Sequence, residues 1–127
     1  MKKITKDWFL AAEDDLLSAK KLMSEVRLTN IVAFHCQQCI EKTFKGIIEE
    51  QNLPSIKSHD LLRLRDIANI KLTEQETIIL ATINETYIEA RYPADLGLMP
   101  DGKPTINEAK NFVDFTEMLY NRLKLKK

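Results

Sequence analysis

Four polar residues recur at helical spacing in the middle of the chain: Gln38, Glu41, Lys42 and Lys45. Positions i, i+3, i+4 and i+7 share one face of an α-helix. The two ammonium groups could meet phosphate as point charges, and the amide of Gln38 offers both a donor and an acceptor to a base or a ribose. The same spacing is typical of a solvated helix face with an ordinary Glu–Lys pair. Spacing alone leaves both interpretations open.

Two further side chains could join this face, His59 and Arg91. We expect Ser58 to cap a helix that begins at His59. Free amides at a helix N-terminus favour an anion, so His59 could bind phosphate or act as an acid–base group. Alternatively, it bonds a nearby carbonyl or a carboxylate such as that of Asp60. Arg91 stands at the expected end of a later helix, where it could grip phosphate or simply offset the helix dipole.

Cys36 and Cys39 form a Cys-x2-Cys string in the middle of a predicted helix. Structural zinc sites take four ligands, usually from two such pairs, and a redox motif opens a helix after a strand. Cys36 lies on the apolar face, which indicates packing in the core. A metal site shared with His35 across a dimer is the remaining alternative. We therefore expect no metal ion and no cofactor.

The composition is that of a neutral globular protein. The chain has 127 residues, 44% of them hydrophobic and 30% charged, with 19 basic and 19 acidic residues. Zero net charge argues against a general nucleic-acid binder but leaves room for a local basic patch. No stretch reaches the ~18 apolar residues of a membrane span, and the N-terminus lacks the apolar run of a signal peptide. We expect one cytoplasmic domain over residues 1–127 with no membrane contact.

The apolar pattern has a helical period along the whole chain and predicts an all-α fold. We expect an up-and-down four-helix bundle with a short additional helix over residues 59–68. Thr73–Glu76 and Thr105–Glu108 have the spacing of capping boxes, and Thr29 or Asn30 could cap the second helix. The four long helices are expected over residues 7–26, 30–51, 74–90 and 106–123.

Some apolar residues fall outside the inward faces of these helices. The inward face of the first helix is expected to run from Trp8 to Val26, whereas Leu10 and Leu17 point the opposite way. The fourth helix has a second apolar side at Ile78, Ala81 and Ile88. Leaving apolar area in water costs about 25 cal/mol per Å², and exposed patches usually mark interfaces. We therefore expect a homodimer.

In order along the chain, these residues resemble the HEPN domain family (higher eukaryotes and prokaryotes nucleotide-binding). The resemblance covers residues from Trp8 to about Leu123 and rests on four blocks. These are Trp8, Ala12, Asp15 and Leu16 in the first helix; Phe34, Gln37, Gln38, Glu41, Lys42 and Lys45 in the second; Lys57, His59, Asp60 and Leu61 after it; and Ala90 to Pro93 at the end of the fourth.

The resemblance implies a helical bundle that usually forms homodimers and binds nucleotide or RNA. It also implies a stand-alone protein often encoded beside a small nucleotidyltransferase, in toxin–antitoxin-like pairs. Some family members are metal-independent ribonucleases that use Arg-x4–6-His late in the chain. Here no histidine follows Arg91, because the only two histidines are His35 and His59.

This departure favours a non-catalytic module that binds nucleotide, RNA or a nucleotidyltransferase partner. The alternatives are a ribonuclease that uses His59 with Arg91, and a pure protein-interaction module. We predict no catalytic residue and one nucleotide or phosphate site, built from Gln38, Glu41, Lys42, Lys45, His59 and Arg91.

Overall fold

The second of the long helices lies at the centre of the fold. The computed structural model describes residues 1–91 and 103–124, without the side chains of residues 87–91. Its helices are α1 (Lys3–Leu22), α2 (Thr29–Glu50), α3 (Leu61–Ala68), α4 (Glu74–Arg91) and α5 (Ile106–Leu123), with a 3-10 turn at Val26–Leu28. Those residues contain no strand, which confirms the predicted all-α fold of four long helices and a short one. None of the helices described is long and apolar enough to cross a membrane.

Helix α2 is central because more than one of its sides is apolar or packed. It contacts α1, α3, α4 and α5, and most extensively α1. The inward face predicted from the sequence is buried throughout, and it consists of Val32, Ala33, Cys36, Ile40, Phe44 and Ile47. A surface helix buries a single stripe, but α2 also buries Gln37, Glu41 and Thr43. Two of these buried polar residues, Gln37 and Glu41, belong to the candidate site.

Gly46 of α2 lies where α1 packs closely against it. A β-carbon at residue 46 would lie 2.7 Å from Cε1 of Phe9 and 3.2 Å from Cβ of Trp8. Glycine fits here because it has no side chain, which lets α1 come close to α2. This approach sets Trp8 against α2.

Both predicted capping boxes are confirmed. The amide of Thr73 donates to Oε1 of Glu76 and the amide of Glu76 donates to Oγ1 of Thr73. The same reciprocal bonds join Thr105 and Glu108. Arg122 of α5 also donates two hydrogen bonds to Glu76. Together with the Thr73 amide, Arg122 lowers the pKa of Glu76 to about 2.

The ends of α1 and α2 differ from the prediction. Helix α1 stops at Leu22, and Val26 falls in the 3-10 turn with 71% of its surface exposed. The helical spacing that placed Val26 inside no longer applies beyond Leu22. The N-cap of α2 is Leu28, with no side-chain cap. The expectation that Thr29 or Asn30 caps α2 is wrong, because the 3-10 turn runs directly into the helix and both residues are already inside it.

Apolar side chains face outward where the sequence indicated. Leu10, Leu17 and Ile78 are 61%, 53% and 54% exposed. Ile78 lines a cleft of about 550 Å³ between α4 and α5, together with Phe115 and Met118. Ile88, the third member of the expected outer face of α4, has its side chain outside the described residues.

Candidate functional site

The carboxylate of Glu41 is the centre of a polar cluster on α2. It accepts hydrogen bonds from Nε2 of Gln37 at 3.1 Å and from Nζ of Lys45 at 2.8 Å. Nδ1 of His59 lies 3.1 Å from each of its two oxygens. Glu41 is only 4% exposed. We call Gln37, Gln38, Glu41, Lys45 and His59 the Glu41 cluster.

Gln37 holds the segment that carries His59 against α2. Its side-chain amide donates both to Glu41 and to the backbone carbonyl of His59, the latter at 3.0 Å. Nε2 of Gln38 in turn donates to Oε1 of Gln37 at 2.8 Å. Gln37 is fully buried, and such a side chain needs its hydrogen bonds satisfied. The prediction did not place Gln37 in the site. Its position four residues before Glu41, on the same helix face, was the available signal.

His59 precedes α3 instead of opening it, which corrects the prediction. The helix begins at Leu61, and its N-cap is Asp60, whose carboxylate accepts from the amides of Leu62 and Arg63. Ser58 does not cap the helix; its hydroxyl accepts from the amide of Asp60. Asp60 thus occupies amides that were expected to favour an anion. The role of His59 depends instead on its contact with Glu41.

The Glu41 carboxyl is charged although it is buried. Burial opposes its ionisation, but hydrogen bonds from Lys45, Gln37 and His59 outweigh that effect and lower the pKa of Glu41. The side chains of Lys45 and His59 are 19% and 52% exposed. The arrangement therefore combines an inner anion with basic groups that reach toward solvent.

Lys42 belongs to a second polar cluster, formed between α1 and α2. Its Nζ donates to Oδ2 of Asp15 at 2.7 Å, and Nδ1 of His35 lies 2.8 Å from Oδ1 of the same carboxylate. Asp15 is only 8% exposed, and a buried carboxylate needs partners close by, which Lys42 and His35 provide. The sequence placed Asp15 and Lys42 in the family pattern, but spacing along one helix could not reveal a contact between two helices.

The structure thus brings four of the six predicted site residues together: Gln38, Glu41, Lys45 and His59. Lys42 lies next to Glu41 in sequence and is paired with Asp15. Arg91 is the last residue of α4, and its side chain lies outside the described residues.

Cys36 and Cys39 are core residues. Both are fully buried. Desolvation raises the pKa of Cys36 to about 12 and that of Cys39 well above its ordinary value. A thiol with such a pKa stays protonated and is a poor nucleophile or metal ligand. Among the side chains that the structure describes, those of residues 1–86 and 103–124, no three His, Cys, Asp or Glu are grouped so as to hold a metal ion.

The architecture and the sequence are similar to those of known proteins. The HEPN domain family model matches residues 5–126. The protein TT1696 from Thermus thermophilus superposes with a TM-score of 0.81 at 21% identity, covering 98% of this chain and 100% of that one. ST0689, an archaeal HEPN homologue, superposes with a TM-score of 0.72 at 25% identity, covering 98% and 97%. No curated protein matches the chain at a significant level. Because the family match extends over nearly the whole sequence, the chain belongs to the HEPN domain family and is a module of the nucleotide-binding or ribonuclease type.

Proposed function

We propose that this protein is a single-domain, non-catalytic HEPN module that binds a nucleotide or RNA phosphate at the Glu41 cluster. The observation that supports this best is the convergence of Lys45 and His59 on one buried carboxylate. A side chain that is already oriented loses less conformational freedom when a ligand binds. An ammonium group has three donors, so Lys45 can keep its bond to Glu41 and still donate to a phosphate oxygen.

Lys42 and Arg91 complete the proposed site. Lys42 leaves α2 one residue after Glu41, and its side chain is 27% exposed while it is paired with Asp15. Arg91 would reach the ligand from the C-terminal end of α4. Together with Gln38, Glu41, Lys45 and His59 they would form a small site for one or two phosphates rather than for a long duplex.

The absence of catalysis is inferred from the chemistry that cleavage of RNA requires. Proton transfer from a ribose hydroxyl needs a positioned base with a pKa near neutrality. The family's ribonuclease pattern places a histidine shortly after an arginine, and no histidine follows Arg91. His59 is the candidate that could replace it, but it precedes Arg91 in the chain and so does not form the family's arginine–histidine pattern. The cysteine thiols are buried and offer no substitute.

The proposal includes the setting of the protein. We infer a cytoplasmic homodimer that works with a small nucleotidyltransferase in a toxin–antitoxin-like pair. The exposed side chains of Leu10, Leu17 and Ile78 support an interface, because apolar surface of this kind usually becomes covered. A nucleotidyltransferase reading frame beside the gene would support the pairing.

Calorimetric titration of the purified protein with AMP and with a short single-stranded RNA tests this function. We expect binding that weakens as salt rises, with the shallow slope of a site that contacts few phosphates. Lys42→Ala, His59→Ala and Arg91→Ala should each weaken binding. The matched control is Lys71→Ala, because Lys71 is exposed and lies between α3 and α4. Absence of binding to both ligands at low salt would refute the proposal.

A further inference from the structure

A pocket of about 240 Å³ adjoins the Glu41 cluster on the side of Lys45. Trp8 of α1, Lys45 and Glu49 of α2, and Ser55 and Lys57 of the following segment line it. Apolar side chains from α2, α3 and the segment between them complete the wall. The pocket thus combines an aromatic ring, basic groups, a carboxylate and a hydroxyl in one small volume.

Lys45 connects this pocket with the Glu41 cluster. Its Nζ lies 5.7 Å from the centroid of the Trp8 ring and 2.8 Å from Oε2 of Glu41. A cation at that distance from an indole ring is attracted by the ring's negative face. A ligand phosphate at Lys45 would therefore be within reach of both the pocket and the cluster.

The polar groups of the pocket favour a ligand that carries hydroxyl groups as well as an anionic group. Lys57 is exposed and Glu49 is half-buried, and neither side chain takes part in an ion pair within the described part of the chain. Lys57 would attract a bare anion, but Glu49 would repel it. A carboxylate accepts hydrogen bonds from ribose hydroxyls, whereas an ammonium group meets phosphate. A ligand that carries both groups satisfies Lys57 and Glu49 together.

The size of the pocket and its aromatic side chain narrow the choice further. Pockets for whole drug-sized ligands measure roughly 300–1,000 Å³, so a pocket of about 240 Å³ has room for the base and ribose of one nucleotide and not for a chain of nucleotides. Flat bases pack well against aromatic side chains in proteins that bind single nucleotides or strands. We propose that this pocket holds the base and ribose of a mononucleotide, with Glu49 on the ribose and with Lys57 and Lys45 on the phosphate. The inference rests on the proposed function, because Lys45 is shared by the two sites.

The intrinsic fluorescence of the protein tests the pocket directly, because Trp8 is the only tryptophan in the chain. The intact protein is titrated with AMP, adenosine and inorganic phosphate, and emission is followed in parallel with calorimetry. We expect AMP to change the emission saturably and to bind at least about tenfold more tightly than adenosine or phosphate, since each of these lacks half of the contacts.

Substitutions in the pocket separate this inference from the proposed function. Lys57→Ala should weaken AMP binding about tenfold, and Glu49→Gln should reduce the preference for AMP over phosphate. The control Lys71→Ala should change neither the AMP affinity nor this preference. Suppose that AMP or RNA binding depends on Lys42 and Arg91, is unchanged by Lys57→Ala and leaves the Trp8 emission constant. That result would refute nucleotide binding in the pocket and leave the proposed function standing. Phosphate binding as tight as AMP binding would also overturn it. Absence of binding by AMP and RNA in calorimetry and fluorescence would refute both.

Discussion

Nδ1 of His59 lies 3.1 Å from both carboxylate oxygens of Glu41, although 18 residues separate the two in sequence. The contact joins the segment before α3 to the middle of α2, where Gln37 and Lys45 bond the same carboxylate. Glu41 therefore has a structural role in positioning the proposed ligand groups. Its replacement should change both stability and binding.

Glu41→Gln should lower the free energy of unfolding by about 1–2 kcal/mol. The change removes a buried charge, and hydrogen bonds to charged groups contribute roughly 1.5–3 kcal/mol to stability. We expect a smaller contribution here because half of the His59 side chain is exposed. Urea denaturation measures the difference. Glu13→Gln on exposed α1 surface is the control and should change stability by less than ~0.5 kcal/mol. Equal stability of Glu41→Gln and the parent protein would contradict the role assigned to Glu41.

Stability should fall as the pH drops below about 4.5, the ordinary pKa of a glutamate. The pKa of Glu76 is lowered to about 2 and that of Glu41 is also lowered. Between the unfolded and folded pKa values the unfolded chain binds more protons, so acid favours unfolding. The stabilisation is complete above the unfolded pKa and is lost as the pH falls through the folded pKa. Urea midpoints between pH 6 and pH 2 check this expectation.

Glu76→Gln tests the Arg122 contribution to that acid dependence. The amide can still accept from the Thr73 backbone but loses the ion pair with Arg122. We expect lower stability than the parent at pH 6 and a difference that shrinks toward pH 2. Glu108→Gln is the matched variant, because Glu108 closes the other capping box. A constant difference between Glu76→Gln and the parent at every pH would argue against the assigned role.

Gly46→Ala should destabilise the protein by about 1–3 kcal/mol, the usual range for overpacking. Alanine is the better helix former by about 1 kcal/mol, but its β-carbon would lie 2.7 Å from the buried ring of Phe9. Thermal unfolding gives the sign directly. Adding Phe9→Leu should make the Gly46→Ala step less destabilising than it is in the parent. A stabilised Gly46→Ala variant would show that α1 can move away without loss.

The protein should be a dimer of twice 14.7 kDa in light scattering at micromolar concentration. We place the interface at the cleft between α4 and α5, because Ile78 and Met118 present exposed apolar surface there. Ile78→Glu should then shift the protein to the monomer, and Leu17→Glu on α1 should do so less. A clean monomer of the parent protein would contradict the dimer. Dissociation by Leu17→Glu alone would move the interface to α1.

Incubation with single-stranded and structured RNA in the absence of metal should give little cleavage above a boiled control. The reason is that no histidine follows Arg91. Cleavage that disappears in His59→Ala would show that the protein is a ribonuclease and not only a binding module. The parent protein and His59→Ala are purified in parallel, so that equal cleavage by both is assigned to a contaminating nuclease or to a residue other than His59.

The spacing of residues along the chain was sufficient to predict the number and order of the helices, the inward face of α2 and both capping boxes, although not every helix end. These features depend on side chains three or four residues apart, and such spacing can be read directly from the chain. The outward directions of Leu10, Leu17 and Ile78 follow from the same rule. The order of the polar blocks also identified the HEPN family, which the match over residues 5–126 confirms.

Contacts between elements were decided only by the tertiary structure. A helical period places Glu41 and Lys42 on one polar face, but the packing of α1 and α3 against α2 buries Glu41 under His59 and turns Lys42 to Asp15. The N-cap of α3 is Asp60 and not the predicted Ser58, so His59 lies before the helix and not at its first position. Sequence spacing fixes which side chains share a helix face, whereas the partner that each charge finds depends on how neighbouring elements pack across that face.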